Sequence, residues 1–472
     1  MATQTSLSTA PFADAVARLQ SELGADIVHG PGEADIARHS HDFINTMPEG
    51  LEIAGIAYPR STEQVSKILS ICNEQGVPVT PQGGMTGLAG GAVPNVPALL
   101  LSLERMRAIE EIDPAGATIT VEAGVVLQTV QEAAAEAGMF FPLDLGGRGT
   151  AQIGGNVSTN AGGNRVLRYG MMRELVLGLE AVLADGTAVS SMNTMLKNNA
   201  GYDLKQLFIG TEGTLGIVTR VVLRLFPEAR SVSTGLVAVK DYDSALALMQ
   251  EAKAAFGGTL AAFEAMWPDF YHLGTTALDR QPPLPHGHGV YVLVETLGTD
   301  PEHDQAAFEQ ALADVLEKGI AEDAVIAQSE QQRGDIWSIR DCPGEFPKVF
   351  WPQISFDVSL PAGKIGDFVD LLRGRLLERW PEAGLVFFGH IADSNLHLSV
   401  HLDEDPMPVH AIDDVVYSAT GEWGGSISAE HGIGTVKKEF LHHSRGPEEI
   451  ALMRRLKAAL DPNGILNPGK VI

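Results

Sequence analysis

Three glycine-rich stretches constrain this 472-residue chain more than any other feature. The first, PQGGMTGLAGGAVP (81–94), crowds Gly83, Gly84, Gly87, Gly90 and Gly91 directly after a segment that reads as a strand. Glycine at that density permits positive φ and lets several backbone N–H groups converge on an anion. The second, PLDLGGRGTAQIGGNVSTNAGGN (142–164), repeats the theme with Ser158, Thr159 and Asn160 as further hydrogen-bonding groups. The third, GTEGTLGIV (210–218), brackets one carboxylate, Glu212, with glycines. Each alone is open to the plain reading of a surface turn. Three within one half of the chain point to an extended, phosphate-bearing ligand touched by backbone along much of its length. The chain has no GxxxxGK[ST] and no GxGxxG opening a helix, which disfavours a P-loop ATPase and a Rossmann nicotinamide enzyme.

The chain is too long for one core, so two or three domains are expected. A strand, a helix and a second strand run into the first glycine loop, with STEQ as a capping box in which Ser61 or Thr62 is the cap. A second strand–helix–strand passage covers 108–145, and Asp185-Gly186 predicts a hairpin turn. After Pro227 strands alternate with alanine-rich helices, which puts the main boundary near residue 228. The C-terminal helix stops at Asp461-Pro462 and leads to a turn and a short strand.

With 33 basic against 60 acidic residues the net charge is −27. Phosphate backbones and anionic lipid repel such a chain, which excludes nucleic acid as a partner. A small anionic substrate would need locally concentrated positive charge. Cys72 and Cys342 are the only cysteines, too few for a disulfide framework, an iron–sulfur centre or a zinc ribbon. The first residues lack a basic n-region, and no run of about 18 apolar residues occurs. The expected location is the cytoplasm, at most peripheral on the inner face of a membrane, with no transmembrane segment.

In GHIADSNLHLSV (389–400), His390 and His397 flank a short polar turn, and a hairpin would set the two imidazoles on adjacent strands. Spacing alone leaves them either a structural pair or a ligand pair. SAEHGIG (428–434) contributes Glu430 and His431. Two histidines and a carboxylate suit zinc, and manganese or iron(II) less selectively.

PQGGMTGLAGGAVP, IGGNVSTNAGGN, FIGTEGTLGIVT, GHIADSNLHL, SAEHGIG and DPNGILNPGK occur in one order from about residue 40 to Ile472. That series resembles the flavoenzymes of the vanillyl-alcohol oxidase type, and within them the D-lactate, glycolate and D-2-hydroxyglutarate dehydrogenases. The resemblance implies an α+β fold: an FAD-binding domain of two α+β subdomains (1–228), a substrate domain with an antiparallel sheet and flanking helices (229–420), and a C-terminal segment (421–472) packing back on the first domain. It implies FAD held by Pro81, Gly83, Gly84, Met85, Thr86, Gly87, Leu88, Gly90 and Gly91 of the first loop. From the second it implies Pro142, Leu143, Asp144, Gly154, Gly155, Ser158, Thr159, Gly162 and Gly163. The wall beside the adenosine and ribityl portion would be Glu212, Gly216, Ile217 and Val218, with Asn467 and Lys470 from the tail. The first loop carries no histidine, so non-covalent FAD is expected.

By the same resemblance His390, His397 and Glu430 hold a divalent metal, zinc in the first instance, His431 takes the hydroxyl proton and Arg340 grips the substrate carboxylate. A chelated hydroxyl is more acidic and fixed in orientation, a neutral histidine is suited to accept its proton, and a planar guanidinium pairs with a carboxylate bidentately. The implied reaction is oxidation of a D-2-hydroxy acid to the 2-oxo acid, with electrons passed to a quinone, a cytochrome or an electron-transfer flavoprotein; a homodimer fits the class.

Departures bear on the substrate. Gly344 and Ser355 stand where hydroxyglutarate-specific members carry a threonine and a lysine, and Ser399 replaces an asparagine. With Phe346, Phe350 and Trp351 nearby, a D-lactate-like substrate or one with a more apolar tail is expected. Lys348 on the same loop could still supply charge, which keeps D-2-hydroxyglutarate as the alternative. An oxygen-using oxidase is a second. A non-haem iron(II) oxygenase on the same three ligands would leave the glycine loops unexplained, and a subunit binding FAD only structurally would leave His431 and Arg340 so.

Overall fold

The computed structural model describes residues 10–32 and 36–472. The chain forms two compact units, one from 1–161, 171–227 and 430–472, the other from 162–170 and 228–429.

The first unit carries two main sheets. In the four-stranded one, Leu99–Ser102 lies parallel to both Gly55–Ala57 and Val79–Gln82. Its LLLS sequence is buried throughout, as a strand covered on both faces must be. Helix Thr62–Gln75 packs Val65, Ile68, Leu69 and Cys72 into that core, the spacing of one helical face. Ser61 is its cap, accepting from the Gln64 N–H, while Gln64 Oε1 reaches back to the Arg60 N–H at 2.6 Å. The second sheet is antiparallel, five strands with Ile217–Arg224 at its centre. Asp185 and Gly186 form the turn between two of its strands, Gly186 at φ 87°. The short strand expected in the tail is reduced to one bridge, Leu466 to Val79. Asp461 Oδ1 and Oδ2 accept the N–H groups of Ile465 and Leu466 and so hold the tail against that core.

The second unit is built on a seven-stranded antiparallel sheet. Its order is Asp323–Ile326, Ser231–Val239, Val290–Gly298, Leu260–Met266, Gly384–Gly389, Asn395–His401, Gln353–Ser359. Side chains alternate across it. Phe387 turns to the face covered by helices, against Trp267 and Arg373; Phe388 turns to the other, against Phe270 and His397. Helix Glu330–Arg340 closes that second face over Leu236, Leu293 and Met266. Residues 162–170 lie among the glycine loops in sequence but join this unit, where the Arg168 guanidinium donates to the Leu297 carbonyl.

Candidate functional site

In the first unit the glycine loops are shaped by backbone approach. A Cβ on Gly84 would lie 2.0 Å from the Thr150 carbonyl oxygen, and one on Gly154 2.7 Å from Ala123 Cβ. Gly84 lets the first two loops pack, and Gly154 seats the second against Ala123 at the end of strand Thr118–Glu122. Gln82 ties the first loop down by donating to the carbonyls of His39 and Ala92, and the Gly90 N–H donates to Asp42 Oδ2 at 3.0 Å. Met85 sits at φ 56°, a turn within the same loop. Gly146 and Gly155 differ: a Cβ on either would meet nothing within 4 Å. In the same stretch Gln152 Oε1 and Asn156 Oδ1 are buried without a protein partner. Native interiors rarely leave such acceptors unpaired, so these mark where a ligand's N–H donors belong. Open backbone and two waiting acceptors fit FAD, whose flavin and adenine both carry N–H donors. Sequence reading missed Gln152 and Asn156, although both lie inside the second glycine stretch.

The other expected cofactor residues of this unit face their own chain. Leu143 O accepts Gln131 Nε2, Arg148 pairs with Asp144 at 2.9 Å, and Thr159 Oγ1 donates to Gly155 O. Ser158 O accepts the Glu212 N–H at 2.8 Å. Ile217 and Val218 begin the buried central strand, and a Cβ on Gly216 would strike the Phe208 ring. Asn467 Nδ2 donates to the carbonyls of Gly91 and Glu212, and Lys470 Nζ to Asn467 Oδ1 and Gly91 O. Burial lowers the Lys470 ammonium to about 8. Gly162 and Gly163 fall in the segment that joins the second unit.

The second unit carries a row of polar side chains on an otherwise apolar sheet face. At its centre is Glu264, 2% exposed in the strand LAAFEAM. Arg340 Nε donates to Glu264 Oε2 at 2.8 Å, and His390 Nδ1 lies 2.8 Å from Oε1. Burial would push the Glu264 carboxyl up; His390 and Arg340 more than reverse this and hold it at about 2. An ionised carboxylate only accepts, so His390 carries its proton on Nδ1 and presents the Nε2 lone pair. Arg340 Nη2 donates to that lone pair at 2.9 Å.

His397 is buried on the neighbouring strand. The hairpin places it opposite Phe388, with His390 just past the strand end, and the two imidazole centroids are 5.4 Å apart. Asp357, fully buried, approaches it to 3.9 Å. Asp357 Oδ2 also accepts the Ala429 N–H at 3.1 Å and the Ser428 hydroxyl at 3.3 Å. Glu430 and His431 are the next two residues of the chain. Beyond His397 along the same strand the wall turns neutral: Ser399 and Ser355 pair across strands, Oγ to Oγ 3.1 Å, and Gln353 Oε1 is buried without a protein partner. Phe346 and Phe350 pack edge to face, with Phe346 also against Phe388 and Phe350 against His401 of the Asn395–His401 strand. Trp351, 65% exposed, turns away. Lys348 also lies apart, its side chain 67% exposed and its ammonium 2.6 Å from Glu345.

The structure thus brings together Arg340, His390, His397 and Ser399. Glu264 and Asp357 went unread in the sequence. Their signal was present: single carboxylates inside the apolar strands LAAFEAM and QISFDVS.

Comparison with known proteins adds a family. Residues 53–191 match the family model described as FAD binding domain, and residues 228–471 that of FAD linked oxidases, C-terminal domain. A mitochondrial D-2-hydroxyglutarate dehydrogenase of Arabidopsis thaliana is 41% identical over 88% of this chain and 74% of its own. A putative mitochondrial D-lactate dehydrogenase of Schizosaccharomyces pombe is 38% identical over 93% of this chain and 85% of its own. The fold matches that of substrate-bound p-cresol methylhydroxylase with a TM-score of 0.79 at 19% identity, over 99% of this chain and 98% of that one.

Proposed function

The chain belongs to the FAD-linked oxidases, among the FAD-dependent D-2-hydroxy acid dehydrogenases, and on that premise we propose that its substrate is a monocarboxylic D-2-hydroxy acid oxidised with the help of a divalent cation. The observation that carries the substrate reading is the neutral wall of Ser355, Ser399 and Gln353. A second carboxylate lying there would need a further cation; Arg340 is taken by the first carboxylate, and both Arg280 and Lys348 are paired with Glu345. An unpaired buried carboxylate costs several kcal/mol, whereas a methyl or longer alkyl tail costs nothing against Phe346 and Phe350.

In this reading Arg340 grips the substrate carboxylate, Ser399 and Ser355 line the tail, and His431 takes the proton from the 2-hydroxyl. FAD, when bound, supplies the oxidant for the Cα–H bond. The cation ligands are His390, His397 and Glu430, zinc by donor set, with manganese or iron(II) as substitutes. What supports them is the orientation of His390, whose Nδ1–H is donated to a carboxylate as in metal-bound histidines, and whose Nε2 would exchange its contact with Arg340 Nη2 for the cation. Glu430 follows Ala429, which Asp357 holds beside His397. Such a cation would acidify the substrate hydroxyl.

The test is anaerobic bleaching of the flavin by D-lactate, D-2-hydroxybutyrate and D-2-hydroxyglutarate. Faster bleaching by the monocarboxylic acids is expected. A clear preference for hydroxyglutarate would end this reading and favour the second, which the name of the Arabidopsis relative supports. Exhaustive chelation should slow turnover and leave the flavin bound. The acceptor is proposed to be a quinone, a cytochrome or an electron-transfer flavoprotein, and peroxide yield against dye-coupled turnover separates this from direct use of oxygen. Among the described residues no helix is long and apolar enough to cross a membrane. A reducing compartment, the cytoplasm, is proposed from two buried, unbridged cysteines.

A further inference from the structure

Glu212 is a buried carboxylate in the first unit to which the chemistry above assigns no work. In the structure it reaches its own chain. Oε1 accepts the Ile433 N–H at 2.7 Å and Oε2 the Gly434 N–H at 2.9 Å. These amides stand two and three residues beyond His431. The backbone is bent to allow it: Glu212 is itself at φ 52°, Gly432 at 85° and Gly434 at 52°. A Cβ on Gly432 would lie 2.8 Å from Glu212 Oε1, and one on Gly434 1.8 Å from the Ala89 carbonyl oxygen. Successive N–H groups in such a turn form a concave anion nest, filled here by a side chain of the protein.

The arrangement is costly. A non-glycine residue in left-handed backbone carries about 1–3 kcal/mol of strain. Burial pushes the Glu212 carboxyl up, opposed by the two amides and the nearby Lys470 ammonium. Asn467 secures the same corner by donating to the Glu212 carbonyl at 2.7 Å. A plain packing residue would need neither the strain nor a buried carboxyl group.

We propose that Glu212 is a positioning residue for the base: it fixes the backbone on the C-terminal side of His431 through the amides of Ile433 and Gly434. Glu212 and the amides of Ile433 and Gly434 belong to the same unit as His431, so the anchor acts within that unit. The inference rests on the reading of His431 as base.

Glu212→Gln tests it in the holoenzyme. The amide keeps the shape and one acceptor but turns an NH2 group toward an N–H donor. Anaerobic flavin reduction per bound FAD is expected to slow by about 10²-fold at saturating substrate, the scale of an ångström's misplacement. KM should stay within about two-fold, because substrate binding is left to Arg340. Glu212→Gln that loses FAD in step with activity, with unchanged reduction per bound flavin, makes Glu212 a cofactor wall and overturns the proposal. A wild-type reduction rate overturns it as well. Unimpaired reduction in His431→Ala would instead sink the base assignment, a failure visible whatever Glu212→Gln does.

Discussion

The two units build their sites from opposite materials. The glycine loops of the first work through main chain: Gly84 and Gly154 admit close backbone approach, and open space at Gly146 and Gly155 leaves the peptide edge bare. The sheet face of the second works through side chains whose charges are buried and paired, Arg340 to Glu264 to His390. The difference teaches where each site is fragile. A backbone site fails when a Cβ is added. A buried charge network fails when one partner is taken away, because the remaining charge stays desolvated.

The sharpest break between cofactor holding and chemistry is His431→Ala. It should keep FAD, read from the visible spectrum, and slow reduction by substrate about 10²–10⁴-fold, the range of a general base. Next in size is Glu264→Ala, which strands the Arg340 guanidinium in the interior. A loss of about 3–5 kcal/mol in unfolding free energy is expected from urea titration. A variant as stable as the parent would mean that the charge row contributes nothing to the second unit's stability. A smaller effect separates two glycines. Gly84→Ala, driven against the Thr150 carbonyl, should destabilise the apoprotein by about 1–3 kcal/mol. Gly155→Ala, facing open space inside helix Ile153–Thr159, should leave apoprotein stability unchanged or gain about 0.5–1 kcal/mol while FAD affinity falls. Equal losses from both would remove the distinction between packing glycines and cofactor glycines. The smallest expected signal is from the thiols: burial pushes Cys72 and Cys342 up to about 12, so neither should react with a thiol reagent at pH 8 until the protein unfolds. Labelling of the folded protein would show that one unit opens on its own.

Much of this was legible in the chain. The glycine loops, the Ser61 cap, the Asp185-Gly186 turn and the 390–397 hairpin are local, each set by residues a few positions apart. Contacts over long separations were not. The 162–170 segment reads as part of the second glycine stretch, yet Arg168 finds its partner at Leu297. Glu212 reads as a ligand contact because it sits between glycines; its oxygens are taken by amides more than two hundred residues later. Lys348 is the exception at short range: it reads as a charge for the pocket, yet Glu345, three residues earlier, pairs with it at the surface.

What the sequence determined by itself is conformational permission and periodicity: where backbone adopts positive φ, where strands alternate, which segments bury. Those depend on each residue and its near neighbours. The pairing of buried charges, by contrast, exists only once the chain has folded. Glu264 meets Arg340 from 76 residues away and His390 from 126, and a carboxylate in LAAFEAM gains its meaning only from that register. Coulomb and hydrogen-bond energies fall off within a few ångströms, so no local pattern announces which distant partner will come that close.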